Sequence, residues 1–277
     1  MIPRMELPIA PRAAQISPDE LIRAAKRASI ILGRMAATES QLDNATALTN
    51  PDRPDVQTAN FAADVHLPDG VEAAEVFEQV SKHFDHAGTV CKMLLAREST
   101  WPEAIVSQFK SHGYRPQKVT VYLLTSYLRP TQVDKTLQII PGRAAYKQLQ
   151  QFFEHDATSG GAANDIKAKD LACTQIDFLD EPRTESFLGR RNGNPVGSGC
   201  LVSLGQIGMI YNATAVQDTF SIETIMTLLA HALDHCQRAL FEQVIVECVD
   251  QNPAADIFLQ LGFRPAASYI KFLGTGN

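Results

Sequence analysis

Apolar residues recur at helical spacing from Val71 to Phe84, where Ala73, Val76, Phe77, Val80 and Phe84 share one face. An earlier helix is expected from Pro18 to Ala37. Ser17 and Glu20 form a capping-box pattern there, and Pro18 stands where a first-turn proline is tolerated. Between these helices, Phe61, Ala63 and Val65 alternate with polar neighbours, which predicts a strand over Gln57–His66. The stretch Thr38–Val56 is polar, carries Pro51 and Pro54, and reads as a linker or loop. Thr89–Ala96 reads as a short apolar strand, Trp101–Ser111 as a helix closed by Gly113, and Gln117–Leu124 as another strand.

A break near Arg129-Pro130 separates a second series. Leu137–Ile140 predicts a strand, Pro141–Glu154 a helix, and Ile166–Leu179 another helix, with the small residues of His155–Asp165 read as a mobile loop. Ser186–Arg191 and Ser198–Leu204 form strands around Asn192-Gly193-Asn194-Pro195, a strong hairpin signal. Strands at Gln206–Val216, Val244–Val249 and Ala267–Leu273 and helices at Ile222–Arg238 and Pro253–Gln260 complete the series.

The two halves echo each other. Gly113-Tyr114-Arg115-Pro116 and Gly262-Phe263-Arg264-Pro265 each close a strand, helix, strand, helix series, which suggests a duplicated unit. Two domains are expected, residues 1–130 and 135–277, which also suits a length of 277 residues.

Composition narrows the function classes. A net charge of -6 gives no basic footprint for nucleic acid. No apolar run is long enough to span a bilayer, so no membrane role is expected. The five cysteines are odd in number and scattered without a CxxC pair. That argues for reduced thiols in a cytoplasmic compartment, and against a disulfide framework or a zinc site.

The second half then resembles a known family. FLGRRNGNPVGSG is similar to the second and third strands of GNAT-superfamily N-acyltransferases. VIVECVDQNPAADIFLQLGF is similar to that family's fifth strand and fourth helix. The resemblance implies a mixed α/β, α+β fold with two tandem GNAT-like units, of which the first is degenerate. It also implies acetyl-CoA as cosubstrate and an amine acceptor, small molecule or peptide.

The family holds the cofactor's pyrophosphate on backbone N–H groups at a helix N-terminus, within a glycine-containing loop. The resemblance places this site after the strand end Thr214-Ala215-Val216, on Ser221-Ile222-Glu223-Thr224-Ile225-Met226. Ser221 replaces the family's Gln or Arg, and Thr224 and Met226 replace small residues and add bulk. Glu223 sets a carboxylate where a diphosphate would lie. The same residues also fit an ordinary helix capped by Ser221. Asn252 matches the residue that contacts the pantetheine arm, or else terminates its strand in a plain turn.

Glu247, an ionisable group in an apolar strand, is the candidate catalytic base; a structural hydrogen bond is its other reading. Phe258 stands where the family carries its tyrosine acid. Tyr211 and Asn212 could line the acceptor groove or simply face a helix layer. His231 and His235 have metal-ligand spacing but fall opposite the apolar set Ile225, Met226, Leu229, Leu233 and Cys236, so a solvated face and no metal are expected. Trp101 reads as a packing anchor. In the first half, Leu67–Glu72 stands where a pyrophosphate loop would be and is acidic instead. Two functional readings follow: an acyl-CoA-dependent N-acetyltransferase, or a silent binding protein of the same fold.

Overall fold

The computed structural model describes residues 16–98, 101, 103–159, 165–215 and 222–274. Val216 and Ser221 lie outside the described residues. In the first half these form α1 (Pro18–Ala36), β1 (Thr38–Gln41), β2 (Thr46–Thr49), β3 (Phe61–Val65), α2 (Ala73–His86), β4 (Met93–Ala96), α3 (Glu103–Ser111) and β5 (Tyr114–Leu124). The second half contributes β6 (Gln138–Pro141), α4 (Tyr146–Ser159), α5 (Asp165–Asp177), β7 (Thr184–Arg191), β8 (Asn194–Leu204) and β9 (Ile207–Ala215). It ends with α6 (Ile222–Arg238), β10 (Gln243–Val249), α7 (Ala254–Gln260) and β11 (Phe263–Gly274).

Local chemistry explains how α1 begins and where it lies. Ser17 Oγ accepts from the Glu20 amide at 3.3 Å while Glu20 Oε2 accepts from the Ser17 amide at 2.8 Å, closing the capping box. Gly33 lets α1 approach the sheet, since a Cβ there would meet the Phe61 ring at 2.6 Å. Two expectations are corrected. The stretch read as a linker folds into the β1–β2 hairpin, because Thr46–Thr49 is fully buried and Ala47 pairs with Ala62 on β3. The stretch read as a mobile loop is helical as far as Ser159, so α4 carries His155 and Asp156 on a fixed element.

The eleven strands of the described residues form one sheet in the order β1-β2-β3-β4-β11-β5-β10-β9-β8-β7-β6. The last strand of the chain is therefore not in its own half. β11 sits between β4 and β5, and β5 sits between β11 and β10. Each half gives its final strand to the other's sheet. The central β5–β11 pair is antiparallel, with Tyr114 opposite Gly274 and Phe263 opposite Leu124. The start of each strand thus meets the end of its counterpart, as a local two-fold relation requires. The fold is α+β with two tandem units joined through this pair.

The exchange decides which residues build each core. Phe272 of β11 is fully buried with Phe77, Phe84 and Phe109 of the first half. Leu124 of β5 is buried with Leu229, Leu233 and Phe263 beneath α6 and α7. On the opposite face α1 covers the seam, burying Val119, Val121 and Tyr269. Farther along that face, Leu149 and Phe152 of α4 close over Leu188. The sequence break at 130–135 falls in the connection between β5 and β6.

Candidate functional site

The parallel strands β9 and β10 pair only from Ile207–Ile210 against Gln243–Val246. Beyond that they part. β9 stays with β8, with Asn212 opposite Cys200 and Ala215 opposite Gly197, while β10 stays with β5 from Glu247 opposite Val121 onward. A bulge in the β8–β9 register, between Cys200 and Leu201, makes Tyr211 the extra residue at the point of divergence. Bulges bend a strand and end pairing beside functional sites. The result is an opening between Tyr211–Ala215 and Glu247–Val249, with the first turn of α6 beyond its mouth.

That first turn presents Ile222 and Glu223 to solvent, while Thr224, Ile225 and Met226 are buried. The expectation that Thr224 and Met226 obstruct the anion site by bulk is therefore corrected. Their side chains point to the sheet, where Arg191 Nη2 donates to Thr224 Oγ1 at 2.9 Å and also pairs with Asp134. The Asp134 amide in turn donates to Thr227 Oγ1 at 2.8 Å. These contacts fix the start of α6 against β7. The early N–H groups of a helix lack intrahelical partners and carry its positive dipole end. Against an anion stands the exposed Glu223 carboxylate.

Glu247 begins the diverging part of β10. Its Oε2 accepts from Tyr269 Oη at 2.8 Å, and its Oε1 pairs with Lys271. Both partners lie on β11, across β5, so the strand exchange assembles this cluster. Burial pushes the Tyr269 and Tyr211 hydroxyls above the ordinary phenol range, and the Glu247 charge adds to the effect at both. Both phenols stay protonated at neutral pH and can donate. Lys26 of α1 lies 5.2 Å over the Tyr269 ring.

Elsewhere around the opening, Thr214 is part-buried and Ala215 is buried. Asp156 of α4 meets the Thr214 hydroxyl, and burial raises its carboxyl above the usual aspartate range, opposed by His155 and Thr214. Asn212 Nδ2 donates to Gln175 Oε1 of α5 at 3.4 Å. Asn252 is exposed, and its Oδ1 accepts from the Ala254 amide at 2.9 Å in the turn that leads into α7. Phe258 is buried and offers no proton, but the Tyr122 ring lies 6.0 Å from it. Tyr122 belongs to β5, so a first-half phenol stands beside α7. Burial raises it, with Cys248 and Asp250 contributing.

His231 and His235 are half-buried rather than solvated. His231 packs edge-on against Phe187 at 5.0 Å, because α6 leans over β7 and β8 with more than one narrow stripe. Burial lowers its pKa. Among the described residues no group of three His, Cys, Asp or Glu side chains could hold a metal ion. Trp101 lies edge-on to Phe109 at 5.3 Å.

The first half contrasts with the second at the equivalent place. β3 also bulges, with Asp64 at φ 51°, yet its pairing with β4 resumes at Val65 opposite Ala96. The Arg97 amide donates to Val65 O at 2.8 Å. Lys26 Nζ then donates to the carbonyls of Ala96, Arg97 and Glu98 at 2.7, 3.3 and 2.8 Å, tying the strand end to α1. Only the second half's parallel pair stands open among the described residues.

Sequence reasoning missed Asp156, Tyr122, Tyr269 and Lys271. Asp156 lay in a run of small residues, and the other three are brought in by pairings that local patterns do not encode.

No protein-family profile matches the chain, and no curated protein matches it. Solved structures do. A functionally unknown conserved protein from Staphylococcus epidermidis is similar at a TM-score of 0.63 and 14% identity, over 88% of this chain and 96% of that one. A GCN5-related N-acetyltransferase from Kribbella flavida is similar at 0.60 and 15%, over 93% and 96%. A tandem GNAT protein from the clavulanic acid biosynthesis pathway is similar at 0.52 and 11%, over 97% and 91%. At these identities the likeness is one of fold.

Proposed function

We infer that this chain, which has the tandem GNAT fold, is an acyl-CoA-dependent N-acyltransferase with a single site in its second half. The observation that carries the reading is the opening between β9 and β10, facing the start of α6. Acetyl-CoA is the proposed cosubstrate, and its thioester supplies the activated acyl group. Thr214 and Ala215, paired with β8 but not with β10, border the path for the pantetheine arm, with Asn252 on the opposite rim. The free first-turn N–H groups at Ile222, Glu223 and Thr224 would hold the pyrophosphate, with Val216, Ser221, Ile225 and Met226 making up the rest of the proposed loop and helix start.

The acceptor amine enters from the face that carries Tyr211, Asn212 and Asp156. Glu247 is the candidate base, positioned by Tyr269 and Lys271. Tyr122, a protonated phenol beside Phe258, is the candidate donor to the departing thiolate. The five free cysteines suit a reducing compartment such as the cytoplasm. The acceptor is a small-molecule or peptide amine.

The test is release of free thiol from acetyl-CoA on a panel of amines. Amine-dependent thiol release supports the reading. The second reading, a silent protein of this fold, is favoured by Glu223 in the first turn and by the absence of glycine in 222–226. It requires no thiol release with any amine.

A further inference from the structure

The face of β9 that α4 and α5 cover gathers polar side chains beside the opening. Asn212 reaches Gln175 on α5, and Thr214 meets Asp156 on α4, so both side chains stand on that face. Ser198 of β8 lies directly opposite Thr214, and opposed side chains on paired strands share a face. Ser198 is 1% exposed, and its Oγ is buried without a hydrogen-bond partner. Asn212 Oδ1 is buried and unpaired as well. Leaving buried polar atoms unpaired is costly, so two of them side by side mark a place that a ligand group completes.

Asp156 gives this place its charge. Burial raises its carboxyl above the usual aspartate range, His155 and the Thr214 hydroxyl oppose the rise, and no lysine or arginine pairs with it among the described residues. A cation brought beside a half-buried carboxylate restores its charged form. An ammonium group has three donors and no acceptor, which complements the Asp156 carboxylate and the Asn212 carbonyl oxygen together. Position separates this site from the reacting centre. A strand rises about 3.3 Å per residue, which sets Thr214 about 10 Å along β9 from Tyr211, where β9 and β10 part. A nitrogen held by Asp156 is therefore a different one from the nitrogen that reacts near Glu247.

We propose that Asp156 and Asn212 hold a second, cationic group of the acceptor, so that the acceptor is an amine of the diamine class. One amine reaches the opening at Tyr211 and Glu247, and the other rests on Asp156. The part played by the first amine rests on the acyltransferase reading. The cation subsite stands on the side chains around Asp156 and does not depend on acyl transfer.

The probe is hexamethylenediamine, long enough to span most of that distance, titrated calorimetrically into the full chain without acetyl-CoA. Hexylamine is the matched monoamine. The diamine should bind at one site per chain and at least tenfold more tightly than hexylamine. Asp156→Asn should weaken the diamine at least tenfold, and Asp156→Glu, which keeps the charge, should retain part of the preference. Asp156→Asn should not lower the thermal midpoint at neutral pH, because a carboxyl raised by burial disfavours the fold once it is ionised. Lost binding with an undiminished midpoint is then loss of the site and not of the fold. Thiol release separates the two readings: Asp156-dependent diamine binding with no thiol release keeps the cation subsite and removes the acyltransferase. No saturable diamine binding at millimolar concentration would overturn the proposal. So would equal affinity for hexylamine, or diamine binding that Asp156→Asn leaves unchanged.

Discussion

Tyr269 and Glu247 are joined by a 2.8 Å hydrogen bond that passes over the intervening strand β5. Tyr269 is 1% exposed and its hydroxyl has this one acceptor. Tyr269→Phe removes the donor and leaves a part-buried carboxylate oxygen unpaired, at a cost of about 1–3 kcal/mol. Urea unfolding of the variant should report that loss, with a lower midpoint and an unchanged slope. A change below about 0.5 kcal/mol would mean that water replaces the phenol freely.

The strand exchange makes a second expectation. Phe272, near the end of the chain, is fully buried in the first half's core. Phe272→Ala should cost about 3–5 kcal/mol, as large-to-small changes of buried aromatics do. The loss should register in hydrogen exchange of α2 and α3, with α6 and α7 less affected. Faster exchange confined to α7 would contradict the pairing of β11 with β4.

Lys26 offers a pH-dependent check. Burial lowers its pKa to about 8 from the ordinary lysine value of 10.5. Between those values the unfolded chain holds a proton that the folded chain has released, so this group makes stability rise as pH increases from 8 to 10.5. Lys26→Met should flatten that rise relative to the native protein. It should also weaken the tie to Ala96, Arg97 and Glu98, lowering stability at pH 7 and loosening the β4 end. Equal slopes in the two proteins, measured by urea midpoints across pH 8–10, would contradict the assignment.

Tyr122→Phe separates binding from chemistry. The phenol is proposed to protonate the leaving thiolate, an effect of about 10²–10⁴-fold when a positioned group supplies it. The variant should keep its affinity for CoA and lose kcat. Unchanged kcat would return the role to solvent.

Local patterning carried much of this structure. The bounds of α6 and the turn between β7 and β8 follow from periodicity and from Asn192-Gly193, and the Ser17–Glu20 cap follows from two residues. The GYRP and GFRP endings, at 113–116 and 262–265, pointed to the related positions that the β5–β11 pair then occupies. Pairing between distant strands has no local signature, so the exchange, and with it Tyr122, Tyr269 and Lys271, stayed hidden. β1 and β2 were missed because a hairpin of Thr, Ser and Gln looks like a loop until burial is known. Thr224 was misread because its helix face, and its bond from Arg191, depend on how α6 leans on the sheet.

Binding of CoA is the most direct test of the proposed site. A ligand at 100-fold over its dissociation constant stabilises by about 2.7 kcal/mol, which at roughly 2–4 °C per kcal/mol gives a thermal midpoint shift of about 5 °C or more. Acetyl-CoA or CoA at millimolar concentration should raise the midpoint of the native protein. Glu223→Gln should raise it further, because it removes a like charge from an exposed first turn. Thr224→Gly should instead lower the stability of the free protein, since that side chain is buried. No shift with either cofactor, in the native chain and in Glu223→Gln alike, would contradict the acyltransferase reading and leave the fold without its usual cosubstrate.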